Sequence, residues 1–269
     1  MIVDSEVRNL EIASDEDELS ESNRAIWKLL GIKQSDTALF FPAPNALVPI
    51  MFARFMNKRR VTFVDTNDIS VSTLIKLAAQ MKLSNVTVKL ASSQGKFPLA
   101  DGAFDLSFSD WGLSYFASQP NKPTNDAETL AKELARVTKV GGKIAALEEN
   151  GAPVMYPCPM EILVIRTKID APRADRLIMG RRIYGLFKAN NIKRIRMRGF
   201  SSFLTGDRQD KMNAELKRRI ESLENSAEGL ATLGVLPQEL DKYKAWLKSQ
   251  IGNASFLIQF NSILTVGEK

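Results

Sequence analysis

The sequence contains no histidine and a single cysteine, Cys158. No imidazole is therefore available for acid-base chemistry in this chain. The missing imidazole excludes a Ser-His-Asp triad and every mechanism that uses a histidine base. One cysteine cannot form an internal disulfide, and without histidine the chain cannot build a Cys/His zinc site. A lone cysteine is more often a small buried apolar residue than a nucleophile. The chemistry must therefore rest on other side chains.

The composition is that of an ordinary globular protein, with 269 residues of which 44% are hydrophobic and 25% are charged. No stretch approaches about 18 uninterrupted apolar residues, so we expect no membrane span. The first two dozen residues are strongly acidic, whereas a signal peptide is basic and then apolar. We therefore expect the chain to stay in the cytoplasm.

The net charge of +6 is unevenly spread, since Lys and Arg concentrate between residues 166 and 219. Such asymmetry permits an anionic partner. Because we find no recognised nucleic-acid module, a solvated basic face is favoured over nucleic-acid binding. Within this region Arg194, Arg196 and Arg198 alternate with apolar residues over Lys193–Phe200, a pattern typical of an edge strand with one wet face.

Short apolar runs alternate with amphipathic stretches along the chain, which predicts an α/β domain with a mostly parallel sheet. The predicted strands are Thr37–Phe41, Arg60–Asp65, Val86–Ala91, Phe104–Ser109, Lys143–Glu148 after the turn Gly141-Gly142, Lys193–Phe200 and Ser255–Val266. The predicted helices are Asn23–Leu30, Leu47–Met56, Ser70–Met81, Ala127–Val137, Arg181–Ala189, one long helix over residues 207–231, and Pro237–Leu247. Residues 150–179 are interrupted by prolines and predict an insertion that is neither strand nor long helix, whose apolar residues could line a substrate pocket.

Two motifs resemble those of a known enzyme family. Phe97–Leu106, followed by Ser109–Leu113, is similar to the proline-rich loop, fourth strand and following turn of class I S-adenosylmethionine-dependent methyltransferases. Leu134–Lys143 resembles the stretch before the fifth strand of that family, with Val140 in place of its usual proline. The resemblance runs from about residue 23 to the end and is strongest to the small, broad-substrate type that includes the quinone-biosynthesis C-methyltransferases.

The resemblance implies one doubly wound α/β domain over residues 1–269, with a seven-stranded, mostly parallel, Rossmann-like sheet and helical lid additions. Residues 1–35 would form an N-terminal helical arm, and residues 201–252 a helical cap insertion before the last strand. It also implies S-adenosylmethionine as the cofactor and a small-molecule acceptor that no motif identifies.

The family's glycine-rich loop after the first strand is altered here. Pro42, Pro44 and Ala46 occupy its three glycine positions, with Ala43 between the prolines. Proline fixes φ and removes an N–H donor, so this loop offers fewer donors to the cofactor's carboxylate. The loop is therefore either an altered cofactor cradle or only a rigid strand-to-helix connection.

The remaining cofactor contacts come from the resemblance, residue by residue. Asp65, with Thr66 beside it, stands where the family binds the ribose hydroxyls, although an acidic residue there could equally be an ordinary turn residue. Ser93 and Gln94 stand where the family places its adenine contact. Asp110 and Trp111 follow the fourth strand, where the aromatic ring could hold a sulfonium cation or simply pack in the core.

Methyl transfer from a sulfonium needs positioning and, for weak nucleophiles, a base. Asp110 or Glu148 could serve as that base, because both stand at the carboxyl ends of predicted strands. Two functions remain open at this point. The chain is either an active methyltransferase or a non-catalytic relative that binds a partner or nucleic acid.

Overall fold

The computed structural model describes residues 26–33, 36–42, 47–56, 59–92, 96–117, 127–171 and 174–269, which form two compact units. Unit 1 contains the described residues up to Glu148 with Met179–Arg198 and Ile263–Lys269. Unit 2 contains Glu149–Ile178 and Gly199–Ser262. Residues 201–252, where a helical cap is predicted, lie in this unit, but residues 201–205 belong to a strand that starts at Lys193. Of the expected N-terminal arm, only residues 26–33 are described, and residues 26–29 are helical.

The described residues contain a sheet of eight strands, one more than expected. The strands are β1 (Ala38–Phe41), β2 (Val61–Asp65), β3 (Val86–Leu90), β4 (Phe104–Asp110), β5 (Thr138–Glu149), β6 (Val154–Tyr156), β7 (Lys193–Thr205) and β8 (Leu257–Glu268). Their order is β3-β2-β1-β4-β5-β8-β6, and β7 pairs with β8. The extra strand is β6, which runs antiparallel to β8.

β1 lies in the centre of the parallel part of the sheet. Ala38 pairs with Val61 of β2 on one side and with Leu106 of β4 on the other, and both pairings are parallel. All four residues of β1 are apolar and buried, as expected for a parallel strand covered on both faces. The predicted central position of this strand, with Arg60–Asp65 and Phe104–Ser109 as its neighbours, is confirmed.

The helices connect these strands in the order expected for an α/β domain. They are α1 (Leu47–Met56), α2 (Asp68–Gln80), α3 (Gly112–Ala117), α4 (Ala127–Val137), α5 (Met160–Asp170), α6 (Ala174–Leu177), α7 (Met179–Ala189), α8 (Gln209–Asn225), α9 (Ala227–Thr232) and α10 (Pro237–Ser249). None of the helices in the described residues is both long enough and apolar enough to cross a membrane.

Phenylalanine rings fill one face of the sheet in unit 1. The Phe40 ring centroid lies 5.1 Å from that of Phe52 on α1, 5.8 Å from Phe63 and 5.2 Å from Phe108. Such ring pairs add about 0.5–1.5 kcal/mol each to the burial of their apolar surface. Leu39 points to the opposite face, because side chains alternate along a strand, and belongs to the core cluster that includes α4.

Unit 2 has its own apolar core. Ile165 of α5, Leu216 of α8 and Leu247 of α10 are buried in one cluster with Phe256 and Ile258 from the region of β8. Each unit thus buries a separate set of apolar side chains.

The prediction that residues 150–179 form neither strand nor long helix was wrong, since this segment contains β6 and the 11-residue helix α5. Pro159 stands at the N-cap of α5, where proline does not interrupt a helix. The buried Ile162, Ile165 and Ile169 recur at three- and four-residue steps, so the helical pattern was present between the prolines.

Several other element boundaries differ from prediction; β7, for example, continues to Thr205 instead of ending at Phe200. The helix expected over 207–231 is interrupted at Ser226, which separates α8 from α9. The buried Leu223 and Leu230 keep the apolar spacing across the interruption, so the spacing alone does not reveal it.

β5 starts at Thr138, directly after α4, and not at Lys143 after a turn. Phe104 pairs with Thr138 but Leu106 pairs with Lys143, so β5 has a bulge that contains the two glycines. A Cβ on Gly142 would lie 2.8 Å from Thr138 Cγ2, which explains the glycine there.

Candidate functional site

The carboxyl ends of β1, β2 and β4 lie at one edge of the sheet, because these strands are neighbours and parallel. They bring Pro42, Asp65 and Asp110 to that edge, which is where open α/β sheets bind ligands. Ala43 and Pro44, and likewise Ser93 and Gln94, lie outside the described residues. Their expected roles stay predictions.

Pro42 is buried and packs against the start of α3. A Cβ on Gly112 would lie 2.6 Å from Pro42 Cδ, 2.9 Å from Phe41 Cδ1 and 2.5 Å from Ser109 Oγ. No side chain fits at Gly112 without a shift of these neighbours. The proline ring therefore fills the space between the end of β1 and the turn after β4.

Asp65 closes β2 and is only 2% exposed. Its Oδ1 accepts a hydrogen bond of 2.9 Å from the backbone N–H of Asn67, and Asn67 in turn caps the N-terminus of α2. Thr66, between them, is half-buried. One oxygen of the Asp65 carboxylate thus stabilises the turn into α2. This is the role expected if Asp65 is an ordinary turn residue.

Asp110 ends β4 as a half-buried carboxylate. Within the part of the chain that the structure describes, it has no hydrogen-bond or ion-pair partner. Burial raises the pKa of Asp110 to about 7. An unpaired carboxylate in such a place favours a bound cation, because a nearby positive charge stabilises its ionised form.

Glu148 is fully buried and is held by the first turn of α3. Its Oε1 accepts the backbone N–H of Leu113 at 2.7 Å, and its Oε2 lies 3.2 Å from the backbone nitrogen and 2.5 Å from Oγ of Ser114. Burial raises the pKa of Glu148 to about 8, the three hydrogen bonds oppose the shift, and the Asp110 carboxylate adds to it. Glu148 therefore caps α3, which argues against its expected role as a base.

Trp111 forms the turn between β4 and α3. Its φ of 58° is left-handed, a conformation that a bulky residue rarely adopts. Its N–H donates to the Leu147 carbonyl at 2.8 Å, and its own carbonyl accepts from Ser114 Oγ at 3.2 Å. Its side chain is half-buried, so it is neither a core residue nor fully exposed.

Sequence reasoning missed two serines of this site. Ser114 connects Glu148 to the Trp111 carbonyl, and its position in the first turn of a helix, where exposed N–H groups collect, was the available signal. The Ser109 hydroxyl is buried without a hydrogen-bond partner among the described residues and borders Gly112. No sequence signal distinguishes Ser109 from an ordinary strand residue.

The three arginines of β7 lie on an edge strand, as predicted, but burial does not alternate along it, because Met197 between them is 43% exposed. β7 pairs with β8 and with no other strand of the described sheet, so it is an edge strand. Arg194, Arg196 and Arg198 are exposed, and Arg194 Nη1 lies 2.9 Å from Glu268 Oε2. This arrangement agrees with a solvated basic edge.

Comparison with known proteins finds a family match for part of the chain. Residues 46–146, from just before α1 into β5, match the family model described as a methyltransferase domain. No curated protein matches the chain.

Solved structures share the fold at low sequence identity. The YcgJ protein of Bacillus subtilis superposes with a TM-score of 0.57 at 12% identity, over 92% of this chain and 99% of that one. Phosphoethanolamine N-methyltransferase 2 of Haemonchus contortus gives 0.55 at 16% identity, over 93% of this chain and 52% of that one. Geranyl diphosphate C-methyltransferase of Streptomyces coelicolor gives 0.51 at 14% identity, over 96% of this chain and 81% of that one.

The family match and the fold confirm the resemblance drawn from the sequence. Residues 46–146 match a methyltransferase domain, and the chain has the Rossmann-like fold of the class I S-adenosylmethionine-dependent methyltransferases.

Proposed function

We propose that the protein is an S-adenosylmethionine-dependent methyltransferase that acts on a small-molecule acceptor in the cytoplasm. The observation that carries the proposal is the match of residues 46–146 to a methyltransferase domain. The site agrees with it, because the parallel strands β1, β2 and β4 end beside one another with Asp65 and Asp110 at their carboxyl ends. The relatives crystallised with S-adenosylmethionine or S-adenosylhomocysteine share this fold.

The charges at the sheet edge fit the cofactor. S-adenosylmethionine carries a positive sulfonium, and the Asp110 carboxylate has no partner within the described residues. Asp65 offers a buried carboxylate at the end of β2 to the ribose hydroxyls. Pro42 fits less well, because it has no N–H to donate and its ring occupies the space beside Gly112. In this proposal Asp65 binds the ribose and Asp110 faces the sulfonium, while the methionine carboxylate has at least one donor fewer than in the family.

The cofactor, when bound, supplies a methyl group already activated by its sulfonium. The chain contributes a negative charge near the cofactor and a fixed backbone geometry beside it. Asp110 places a carboxylate at the end of β4, and Glu148 and Ser114 fix the first turn of α3, which sets the direction of the backbone at Trp111 and Gly112. A base is needed only for a weakly nucleophilic acceptor, and Asp110, the half-buried carboxylate at the end of β4, is the candidate for that role.

The class of acceptor is proposed only as a small molecule. The solved relatives act on acceptors as different as a phosphoethanolamine and geranyl diphosphate. Regions outside the shared sheet thus adapt to the acceptor, and fold alone does not select one.

Calorimetry with S-adenosylhomocysteine tests the proposal. The natural chain should bind it, and binding at 100 times the dissociation constant should stabilise the fold by about 2.7 kcal/mol. Asp65→Ala should eliminate measurable binding, and Asp65→Asn should weaken it while an oxygen remains to accept the Asn67 N–H. Asp68→Asn, an exposed position in the first turn of α2, is the matched control and should bind normally.

A non-catalytic methyltransferase-fold protein is the second candidate, and one observation favours it. Pro42 packs so closely on Gly112 that the end of β1 carries a ring where the family has bare backbone. If neither the natural chain nor a Pro42→Gly, Pro44→Gly variant binds S-adenosylmethionine or S-adenosylhomocysteine, the enzymatic proposal is wrong and this candidate replaces it.

A further inference from the structure

Unit 2 contains a pocket of about 570 Å³, whose described lining residues all lie between Gly151 and Ile178. We call it the unit 2 pocket. Its volume lies within the range of about 300–1,000 Å³ that is usual for sites that bind small organic molecules. β6, α5 and α6 supply its walls, so the segment that interrupts the strand-helix alternation builds it.

The walls of the unit 2 pocket are mostly apolar and partly open to solvent. Val154 is 51% exposed, Leu163 is 42% exposed and Ile178 is 37% exposed, although all three are large and apolar. Clustered exposed apolar side chains of this kind usually mark a ligand or partner site. The apolar part of a ligand would remove this surface from water.

A buried positive charge lines the same pocket. The Arg166 side chain is only 8% exposed, and its Nε lies 3.4 Å from Oδ2 of Asp170. Among the described residues Asp170 is the sole partner of this guanidinium, so the donors on the two terminal nitrogens remain for a ligand. A planar guanidinium presents these donors in a fork that matches a carboxylate.

The positive charge of Arg166 acts on two neighbouring groups. Burial raises the pKa of the Cys158 thiol, and the positive charge of Arg166 opposes that shift. Burial likewise raises the pKa of Tyr243, opposed by Arg166 and Arg219, while Asp170 and Cys158 add to it. Arg219 is already paired, with its Nε 2.7 Å from Glu215 Oε1. Arg166 is likewise paired, through its Nε, with Asp170, which lines the pocket beside it, but Arg166 is the one cation among the described lining residues and its terminal nitrogens are left for an anion.

We propose that the unit 2 pocket binds a free organic acid that combines an apolar chain with one carboxylate, held by Arg166. The apolar chain lies against Val154, Leu163 and Ile178, and the carboxylate accepts hydrogen bonds from the terminal nitrogens of the guanidinium. The proposal does not depend on methyltransferase activity, and its test needs no cofactor.

Cys158 gives a site-specific readout, because it lines the pocket and is the chain's only cysteine. The neutral reagent iodoacetamide is reacted with the full chain and the alkylated fraction is followed by mass spectrometry. Saturating decanoic acid should slow alkylation at least tenfold. Decan-1-ol and decylamine, with the same chain and no carboxylate, should need about ten- to a hundredfold higher concentrations, since a charge-assisted hydrogen bond contributes about that factor.

Three variants locate the binding. Arg166→Gln should raise the half-protecting concentration of decanoic acid about ten- to a hundredfold and leave that of decan-1-ol unchanged. Ala174→Phe places a ring in the pocket and should abolish protection by both compounds. Arg218→Gln, an exposed arginine on α8 paired with Glu215, is the matched control and should bind decanoic acid normally.

The comparison of acid with alcohol in the natural chain decides the proposal even if Arg166→Gln fails to fold. Equal protection by decanoic acid and decan-1-ol, or no protection by either, would overturn it. Vesicles of phosphatidylcholine and phosphatidylglycerol without the acid should leave the alkylation rate unchanged. Protection by such vesicles would replace a free acid with a membrane surface and would also overturn the proposal.

Discussion

The Ser114 hydroxyl lies 2.5 Å from Oε2 of Glu148, a carboxyl group with no exposed surface and no cation among its hydrogen-bond partners. The pair joins the end of β5 to the first turn of α3, across 34 residues of sequence. A buried carboxyl group without a countercharge holds its proton to a higher pH than it does in the unfolded chain. The stability of unit 1 should therefore depend on pH in an unusual direction.

Glu148→Gln tests this dependence. Above the ordinary carboxyl pKa of 4.5 the unfolded chain releases the Glu148 proton, whereas the folded chain keeps it until about pH 8. The folded state therefore binds more protons over this range, and Glu148 lowers the free energy of unfolding by up to about 1.4 kcal/mol for each pH unit. Urea unfolding of the natural chain between pH 5 and pH 8 should show this decline, and Glu148→Gln should reduce its slope.

Glu128→Gln is the control, because Glu128 is exposed on α4 and leaves the buried pair intact. Asp110 contributes a similar decline up to about pH 7, so some slope persists in the Glu148 variant. A Glu148→Gln slope equal to that of the natural chain would show that Glu148 is already ionised in the fold.

Ser114→Ala removes the hydroxyl that connects Glu148 to the Trp111 carbonyl. The variant leaves a buried carboxyl oxygen with one fewer partner, so the free energy of unfolding should fall by about 1–3 kcal/mol. Ser72→Ala, at an exposed position of α2, should change it by less than about 0.5 kcal/mol. Equal effects of the two changes in urea unfolding would mean that the hydroxyl does not support α3.

Gly112→Ala tests the close contact between β1 and α3. The added Cβ would lie 2.6 Å from Pro42 Cδ and 2.5 Å from Ser109 Oγ, so we expect a loss of about 1–3 kcal/mol in unfolding free energy from overpacking. Gly185→Ala is the matched control in the same unit, because a Cβ there meets nothing within 4 Å. That change in the middle of α7 should stabilise the fold by up to about 1 kcal/mol. A tolerated Gly112→Ala would contradict the packing of Pro42.

Particular residues show how far sequence reasoning reached. The bounds of α1 and α4 were predicted correctly, because Leu47–Met56 and Ala127–Val137 are apolar or amphipathic runs with clear ends. α5 was missed because its surrounding prolines were taken as interruptions, although Pro159 only starts it. Local patterns reveal local structure, and proline acts differently at a helix start than in its interior.

The candidate site was harder to predict, since its interactions join distant parts of the chain. Asp65 could be named from its place at a strand end. The capping role of Glu148 depends on Leu113 and Ser114, more than 30 residues away, and no spacing rule connects them. The packing of Pro42 on Gly112 likewise arises only once β1 and β4 are neighbours.

The charge of the cofactor gives a test of Asp110. Bound S-adenosylmethionine places a sulfonium cation at the site, which should lower the Asp110 pKa by about one to two units, whereas S-adenosylhomocysteine has a neutral sulfide. Since the Asp110 pKa is about 7, the affinity for S-adenosylmethionine should rise as the pH increases towards 7 and level off above it. The gain between pH 5 and pH 8 should be about ten- to a hundredfold.

Calorimetry with both compounds over this range measures the difference. Asp110→Asn should remove the pH dependence for S-adenosylmethionine and leave the affinity for S-adenosylhomocysteine nearly unchanged. The same pH profile for both compounds in the natural chain would mean that Asp110 does not contact the sulfonium.

Pro42 and Pro44, after β1, have two opposing effects on the affinity for the cofactor. Each N–H donor lost at Pro42 and Pro44 should cost a bound carboxylate about 1.5–3 kcal/mol, or about ten- to a hundredfold in affinity. Proline also restricts the unfolded loop, but that gain is usually below about 1 kcal/mol and does not restore the donors. Pro42→Gly removes, in addition, the ring that fills the space beside Gly112.

We therefore expect weak binding of S-adenosylhomocysteine by the natural chain, and unchanged or tighter binding by the Pro42→Gly, Pro44→Gly variant. Titration calorimetry compares the two, and urea unfolding of the variant controls for any loss of stability in the loop. Binding to the natural chain with a sub-micromolar dissociation constant would refute the argument that the prolines impair the site. In that case the N–H donors that Pro42 and Pro44 lack would not be needed for binding. The methionine carboxylate would have to bind to other groups in unit 1.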